Sequence, residues 1–374
     1  MAITCNAQQW TGTWATATEA PGKGDMPKTS LANRTLRQII HVSLGGKTLR
    51  LKLSNEFSHQ AVDIKAVYIA DASGAWHIDT KSAKYLKFAG KKNITIEAGK
   101  TVISDALNYE LKPLQRLAVT ISYGDNVPNT ATCHRGSRTT SYIIEGEGKP
   151  KADFTAAETL EHWYNISSLD VLTDESPRCV VALGNSITDG RGTTTDAQNR
   201  WTDFLAENAE GKMGVLNLGI GGTCMTMAPW QNCGRVRFDR DVLGQTGVTD
   251  LIVFYGVNDI GGAKGQYEIV ADSLIHTYQT FIRKAHNNGM RIYLATITAF
   301  GKSFYATHFH EATRQVVNDW IRSCKDADGI IDFDAATRNP AHPDCCLPQY
   351  QSDWLHLNPA GYELLGKIAW DKIK

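Results

Sequence analysis

Residues 178–190 decide the fold of the C-terminal half, because the run Arg-Cys-Val-Val-Ala-Leu is followed at once by Gly-Asn-Ser-Ile-Thr-Asp-Gly. An almost unbroken apolar run of this length is typical of a strand that is buried on both faces of a parallel sheet. Four further runs of this kind follow along the chain: Val215–Leu218, Leu251–Tyr255, Ile292–Ile297 and Ile330–Phe333. The pattern predicts a parallel sheet of five strands.

Helical segments separate these runs. Apolar residues recur at helical spacing in Tyr267–Asn288, where Gly289 is suited to end the helix, and in Phe309–Cys324. Asn358 and Pro359 are a favourable N-cap and first helical residue for a last helix that reaches residue 374. Strands that alternate with helices predict a doubly wound α/β domain over residues 178–374.

The preceding part, residues 1–165, has the pattern of an all-β domain. Leu49, Leu51 and Leu53 alternate with polar residues, so one face of that segment lies in a core. The segments 37–44 and 47–53 flank Gly45-Gly46, which predicts a tight hairpin with positive φ at the glycines. Similar short runs follow, which favours a β-sandwich or jelly-roll-like accessory domain. We expect Thr155–Ser176 to join the two domains.

Polar and glycine-rich motifs follow three of the apolar runs of the α/β domain. They are Gly184–Gly190, Gly219-Ile-Gly-Gly222 and Gly256-Val-Asn258-Asp259, and Asp353-Trp-Leu-His356 precedes the last helix. Because ligands of open parallel sheets bind beyond the carboxyl ends of the strands, these motifs are expected to meet in one site.

The residue types in these motifs suit acyl transfer. A serine hydroxyl needs a base to take its proton, and His356 can do this for Ser186 near neutral pH. Asp353 is placed to orient the imidazole and to stabilise its cation. The backbone N–H groups of Ser186 and Gly222 and the side-chain amide of Asn258 are candidates for an oxyanion hole.

These four motifs resemble the conserved blocks of the SGNH (GDSL-like) hydrolases. Gly-Asn-Ser-Ile-Thr is similar to the first block, in which aspartate usually stands at the position of Asn185. The resemblance covers about residues 178–374 and implies Ser186, Gly222, Asn258 and His356 as the residues that give the family its name. It implies a serine esterase of the kind found in two-domain bacterial carbohydrate esterases, with no cofactor and no metal ion.

Other side chains are weaker candidates for the site. Asn185, Trp230, Tyr255 and Trp354 lie close to the motifs in sequence and are predicted to contact substrate, with core packing as the alternative for the three aromatic residues. His308, His310 and Glu311 do not have the spacing of a familiar metal motif, so a solvated helix start is the expectation for them.

Three alternative functions remain open at this point. An α/β-hydrolase would need Gly-x-Ser-x-Gly around its nucleophile, but Thr188 stands where the last glycine should be. A carbohydrate-binding protein with an inert hydrolase domain is possible because fold does not fix function. Within esterases, we expect an O-acetyl group on carbohydrate or another small ester as substrate, and a short-chain arylesterase or lipase is the alternative.

Composition limits the partners and the compartment. The 374 residues contain 39 basic and 39 acidic side chains, so no overall positive charge favours nucleic acid. No apolar run is long enough to insert into a membrane, and Met1–Ala7 lacks the features of a signal peptide. Eight cysteines, with Cys224 and Cys233 as a candidate disulfide, favour an oxidising compartment. We therefore expect a secreted or periplasmic protein.

Overall fold

A computed structural model describes residues 8–226 and 232–374. The chain divides into two compact units. The first comprises residues up to 177 together with 195–198 and 210–214, and the second comprises 178–194, 199–209 and 215–374.

The first unit is built from β-strands. Its strands are β1 (Gln9–Ala15), β2 (Arg34–His41), β3 (Gly46–Ser54), β4 (Val62–Gly74), β5 (His77–Ile78), β6 (Lys84–Tyr85), β7 (Ile94–Ile96), β8 (Thr101–Ile103), β9 (Leu107–Leu111), β10 (Arg116–Tyr123), β11 (Cys133–His134), β12 (Ser141–Glu145), β13 (Glu158–Leu160), β14 (Trp163–Tyr164) and β15 (Ile166–Thr173). One large antiparallel sheet has the order β1-β15-β3-β8, with β9 also paired to β3. The other large sheet has the order β13-β12-β2-β10-β4-β5, with β6 and β7 paired to β4. Strands β11 and β14 form a separate antiparallel pair.

The core of this unit draws side chains from both sheets. Leu49, Leu51 and Leu53 of β3 are fully buried and belong to the same apolar cluster as Val119 and Ile121 of β10. The alternation in the sequence therefore identified the buried face of β3 correctly. Two antiparallel sheets around one core confirm the predicted all-β sandwich.

The predicted hairpin at Gly45-Gly46 is wrong. Strand β2 pairs with β10 and β12, whereas β3 pairs with β15, β8 and β9, so the two strands belong to different sheets. Neither glycine has a positive φ. A Cβ atom on Gly45 would lie 2.6 Å from the Leu111 carbonyl oxygen and 2.6 Å from Pro113 Cδ. Close approach of another chain segment, and not turn geometry, explains that glycine.

The expected connection over Thr155–Ser176 is also wrong, because this segment contains strands β13, β14 and β15. Strand β15 pairs with β1 on one side and with β3 on the other. Its residues Leu169 and Val171 are fully buried. A strand with two partners and buried side chains is part of a sheet and cannot be a linker.

The strands of the second unit are β16 (Cys179–Gly184), β17 (Gly214–Gly219), β18 (Asp250–Phe254), β19 (Arg291–Ala295), β20 (Gly329–Ile331), β21 (Arg338–Asn339) and β22 (His342–Cys346). They include the predicted five-stranded sheet, in the order β17-β16-β18-β19-β20. The pairs β16–β18, β18–β19 and β19–β20 are parallel, which confirms the doubly wound α/β fold. Strands β21 and β22 form a short antiparallel pair.

Helices connect these strands. They are α1 (Ser186–Asp189), α2 (Trp201–Asn208), α3 (Gly234–Phe238), α4 (Val257–Gly261), α5 (Tyr267–Asn287), α6 (His308–Ser323), α7 (Phe333–Thr337) and α8 (Pro359–Ile373), with a π-helix at Asp239–Leu243 and a 3-10 turn at Pro348–Tyr350. Asn358 caps α8 as predicted, since its Oδ1 accepts the Gly361 N–H at 3.0 Å. Gly289 follows the end of α5 with φ of +70°.

The cysteines do not form the expected disulfide. Cys224 and Cys233 are not disulfide-bonded, and both are buried. A backbone hydrogen bond joins the two segments instead, because the Gly234 N–H donates to the Cys224 carbonyl at 2.9 Å. Burial raises the pKa of the Cys224 thiol to about 12, so the thiol stays protonated. The disulfide argument for an oxidising compartment is therefore lost.

No described helix combines the length and the apolar character that crossing a membrane requires.

Candidate functional site

The candidate nucleophile stands where β16 passes into α1. Asn185 is the N-cap of this short helix, and its Oδ1 accepts the Ile187 N–H at 3.1 Å. Ser186 is the first helical residue, so its own N–H is one of those that an α-helix leaves without an internal partner. A Cβ atom on Gly184 would lie 2.1 Å from Thr188 Oγ1, so only glycine fits before this turn. The tight turn fixes the position of the serine.

The histidine and the serine meet although 170 residues separate them in the sequence. Ser186 Oγ lies 2.8 Å from His356 Nε2, and His356 Nδ1 lies 2.8 Å from Asp353 Oδ2. Asp353 Oδ1 also accepts the backbone N–H of His356 at 2.7 Å. The structure thus brings together the three residues that the sequence motifs predicted, with the imidazole between the hydroxyl and the carboxylate.

The electrostatics of Asp353 favour its ionised form. Burial alone would raise the pKa of this carboxyl group, but the backbone N–H and the imidazole of His356 lower it below its usual value. The side chain is 43% exposed, whereas that of His356 is 7% exposed. The carboxylate therefore lies at the protein surface and the imidazole beneath it.

The glycine-rich segment after β17 packs closely against the serine. A Cβ atom on Gly219 would lie 2.2 Å from the Asp189 nitrogen, and one on Gly221 would lie 4.0 Å from Ser186 Cβ. Gly222 has φ of +76° and is exposed. This loop brings the Gly222 segment to the serine side of the site.

Asn258, the second residue of α4, is held from both ends of its amide. Its Nδ2 donates to the Thr223 carbonyl oxygen at 2.8 Å, and its Oδ1 accepts the Tyr305 hydroxyl at 3.2 Å. The second N–H of the amide is left to act as a donor. These two contacts fix which end of the amide is the nitrogen.

Asp259 and Tyr305 were not predicted as site residues. Both carboxylate oxygens of Asp259 accept backbone N–H groups of the loop after Gly222, from Met225 and Thr226, each at 2.8 Å. Burial raises the pKa of Asp259, although these donors oppose the shift. The sequence signal for Asp259 was its place in Gly-x-Asn-Asp, whereas Tyr305 carries no motif.

The predicted substrate-contacting residues have different fates. Asn185 is 2% exposed and Tyr255 is 1% exposed, so both side chains are buried, and substrate contact stays a prediction for them. Trp354 is half-buried in the turn between Asp353 and His356, and the Lys302 ammonium lies 4.4 Å from its ring centre. Trp230 lies outside the described residues.

The two histidines at the start of α6 differ in their surroundings. His310 Nδ1 lies 2.6 Å from the Tyr305 carbonyl oxygen, and its Nε2 lies 3.2 Å from that of Ala263. His308 is exposed at the start of the helix. Within the part of the chain that the structure describes, no group of three His, Cys, Asp or Glu side chains is placed to hold a metal ion.

With this geometry in place, comparison with known proteins identifies the second unit. Residues 182–364 match the model of the GDSL-like lipase/acylhydrolase family. This part of the chain belongs to the GDSL-like lipase/acylhydrolase family. The resemblance seen in the four sequence motifs is therefore confirmed, and the GDSL-like domain makes the chain a carboxylic ester hydrolase.

Several solved structures are similar to this chain over 52% of its length. One is a G-D-S-L family protein from Desulfitobacterium hafniense, with 22% identity, 98% of its own chain covered and a TM-score of 0.41. The lipase/acylhydrolase from Enterococcus faecalis has 20% identity, 94% of its own chain covered and a TM-score of 0.41. A carbohydrate acetylesterase from Sinorhizobium meliloti has 14%, 97% and 0.41. No curated protein sequence shows significant similarity to the chain.

Proposed function

We propose that this protein is a serine esterase in which Ser186 is the nucleophile, His356 the general base and Asp353 the residue that orients the base. The observation that carries the proposal is the 2.8 Å contact between Ser186 Oγ and His356 Nε2, with Asp353 on the other ring nitrogen. His356 takes the hydroxyl proton as Ser186 attacks the ester carbonyl, and then gives it to the leaving alcohol. Water activated by His356 releases the acid from the acyl-enzyme.

The negative charge of the tetrahedral intermediate needs donors that are already in place. We assign this role to the backbone N–H groups of Ser186 and Gly222 and to the remaining N–H of Asn258. The contacts of Asn258 with Thr223 and Tyr305 support this assignment, because they hold the amide in one orientation. Loss of one such donor typically lowers kcat by about 10²- to 10³-fold.

The proposed substrate is a short acyl ester, with an O-acetyl group on carbohydrate as the main candidate. Trp354 lines a narrow crevice beside His356. The half-buried Trp354 ring offers an apolar surface beside the base for a sugar ring.

A short-chain arylesterase is the second candidate, and the loop between β19 and α6 favours it. Phe304 is 79% exposed and its ring centre lies 4.3 Å from that of Tyr305, whose hydroxyl contacts Asn258. An exposed aromatic ring this close to a proposed oxyanion donor suits an aromatic leaving group.

A fluorophosphonate probe tests the enzyme mechanism. The wild-type protein should be labelled on one serine, and Ser186→Ala should abolish the labelling. The exposed Ser323, at the end of α6, provides the control, since Ser323→Ala should label like wild type. Failure of the folded wild-type protein to react would contradict the proposal and favour the inert, carbohydrate-binding alternative.

Rates on graded substrates test the acyl group and the alcohol. For p-nitrophenyl esters from acetate to octanoate, kcat/KM should fall with chain length, and a preference for octanoate would contradict the short-acyl proposal. Acetate release from acetylated xylan should be faster than hydrolysis of naphthyl acetate, and the reverse order would favour the arylesterase. Trp354→Ala should raise KM for the saccharide about three- to tenfold, if about 1 kcal/mol of ring contact is lost.

A further inference from the structure

A fully buried arginine lies beneath the proposed site. Arg237, in α3, has a side chain with 0% exposure, and its partner Asp241 has 4%. Nη1 of Arg237 donates to Asp241 Oδ2 at 2.6 Å and to the Leu218 carbonyl oxygen at 2.7 Å. Nη2 donates to the Gly184 carbonyl oxygen and to the Tyr255 hydroxyl, both at 2.8 Å. One guanidinium group thus binds four separate oxygen atoms.

Three of these four acceptors lie at the ends of neighbouring strands. Gly184 ends β16 and stands two residues before Ser186. Leu218 is the penultimate residue of β17 and leads into the glycine loop. Tyr255 directly follows β18 and precedes the motif that contains Asn258. Because the sheet order is β17-β16-β18, the guanidinium spans the three adjacent strands that carry the proposed nucleophile and oxyanion donors.

A chain of hydrogen bonds extends from Arg237 to the oxyanion donors. The Thr223 hydroxyl donates to the Ile220 carbonyl at 2.8 Å, so the Tyr255 hydroxyl, 2.8 Å from Thr223 Oγ1, is the donor in that pair. The Thr223 carbonyl in turn accepts the Asn258 amide. The chain therefore connects the arginine with the loop of Gly222 and with Asn258.

The charge of Arg237 is retained in this environment. Burial alone would lower its pKa, but Tyr255 and Asp241 raise it above the ordinary value. A buried cation is costly unless its donors are satisfied. Four of the five guanidinium N–H groups have acceptors, and the Nε–H has none among the described residues. The planar fork of arginine can reach several acceptors that a lysine ammonium cannot reach together. This explains why an arginine, and not a lysine, suits the position.

We infer that Arg237 is a positioning residue, which sets the relative placement of Ser186, the Gly222 loop and Asn258 through the strand ends and through Tyr255 and Thr223. This inference rests on the proposed function, since it concerns the geometry of the oxyanion hole. The alternative is a buried ion pair that supports the fold and leaves the site unaffected.

Two variants test the inference with different risks to folding. Arg237→Lys keeps the charge and removes the fork. Tyr255→Phe removes a single hydroxyl and keeps the ring, so it decides the question if Arg237→Lys does not fold. The matched control is Tyr123→Phe, which removes another fully buried hydroxyl, one that donates to Asn165 Oδ1 at 2.9 Å in the β-sandwich.

The measurement is kcat on p-nitrophenyl acetate per active site, with the active sites counted by fluorophosphonate titration. Tyr255→Phe should lower this kcat about 10- to 100-fold and Arg237→Lys up to about 1,000-fold, with KM within about threefold. The inhibition constant of a boronic acid that mimics the intermediate should rise with the loss in kcat/KM. The thermal midpoint of Tyr255→Phe should fall no further than that of Tyr123→Phe.

The inference is overturned if both variants have the wild-type kcat per titrated site. If Arg237→Lys does not fold, a wild-type kcat in Tyr255→Phe alone is sufficient to overturn it. Arg237 would then have a role in folding only. Failure of the proposed function itself gives a different result, since Ser186→Ala would then retain turnover whatever the Arg237 and Tyr255 variants do.

Discussion

Ser186 and the proposed oxyanion donors lie at the buried ends of three strands, whereas His356 and Asp353 belong to a turn that reaches the protein surface. Asp259, on the first side, is 0% exposed and binds loop N–H groups with both oxygens. Asp353, on the second side, has a side chain that is 43% exposed and, among the described residues, bonds only within its own turn. Removing the charge of Asp259, at the strand ends, should therefore lower stability. Removing the charge of Asp353, in the surface turn, should mainly lower activity.

The largest effect is expected where the two sides must act as one unit. Ser186→Ala and His356→Ala should each lower kcat by on the order of 10⁴- to 10⁶-fold, because either change removes the nucleophile and base as a functioning pair. The double variant should be no slower than the slower single variant. Steady-state kinetics with an acetyl ester measures this, and multiplicative losses would show that the two residues act independently.

Asp353→Asn should be the next most damaging change for activity. We expect kcat to fall about 10²- to 10⁴-fold, since the amide cannot stabilise the imidazolium and can select the wrong tautomer. The free energy of unfolding should change by less than about 1 kcal/mol, because the side chain is partly solvated. Asp371→Asn, at a site with 50% exposure, is the control for loss of a surface carboxylate. A large drop in stability in Asp353→Asn would remove the contrast between the two sides.

Asp259→Asn should lower stability more than Asp353→Asn does, and activity less. Its amide would direct N–H groups at the Met225 or Thr226 N–H, so one buried donor loses its acceptor at a cost of about 1–3 kcal/mol. We expect the free energy of unfolding to fall by that amount and kcat to fall about 10- to 100-fold as the Gly222 loop shifts. Urea denaturation and steady-state kinetics should be measured for Asp259→Asn and for the control Asp239→Asn, whose carboxylate is 66% exposed. Unchanged stability in Asp259→Asn would contradict the buried-support interpretation.

The pH dependence gives the smallest of these effects. Since His356 must be neutral to accept the serine proton, kcat/KM should fall about tenfold per pH unit in the acidic range where the imidazole is protonated. The lowered pKa of Asp353 keeps the carboxylate ionised throughout this range, and its contribution to stability is lost only as the pH falls through that lowered value. In Asp353→Asn the midpoint of the profile should move to lower pH, because the neighbouring negative charge is gone. A flat profile would exclude His356 as the base.

The parts of the fold and site that the sequence predicted are those that short stretches determine. The apolar runs located the parallel strands, Asn358 located the start of α8, and the four motifs located Ser186, Asn258 and His356 at element ends. Each of these signals depends on residues close together in the chain, so no knowledge of distant partners was needed.

The failures involve partners that are distant in sequence. The chain between β2 and β3 resembles a hairpin, but strand pairing is decided by β10 and β15, which lie far along the chain. Arg237 stands in a five-residue helix without a motif, and only the folded structure shows that it binds Gly184 and Leu218. Tyr255 is in a predicted strand end, where the sequence does not distinguish a buried hydroxyl from a substrate contact.

Gly219 and Gly222, in the loop beside Ser186, restrict substitution for different reasons. At Gly219 any side chain would collide with the backbone of α1, so no replacement fits. At Gly222 no atom of the described residues lies within 4 Å of an added Cβ, and the restriction comes from φ of +76° alone. Asparagine, which tolerates that conformation better than alanine, is thus the natural first replacement at position 222. It would introduce an amide at the entrance, from which selectivity for the alcohol part of the ester could be engineered.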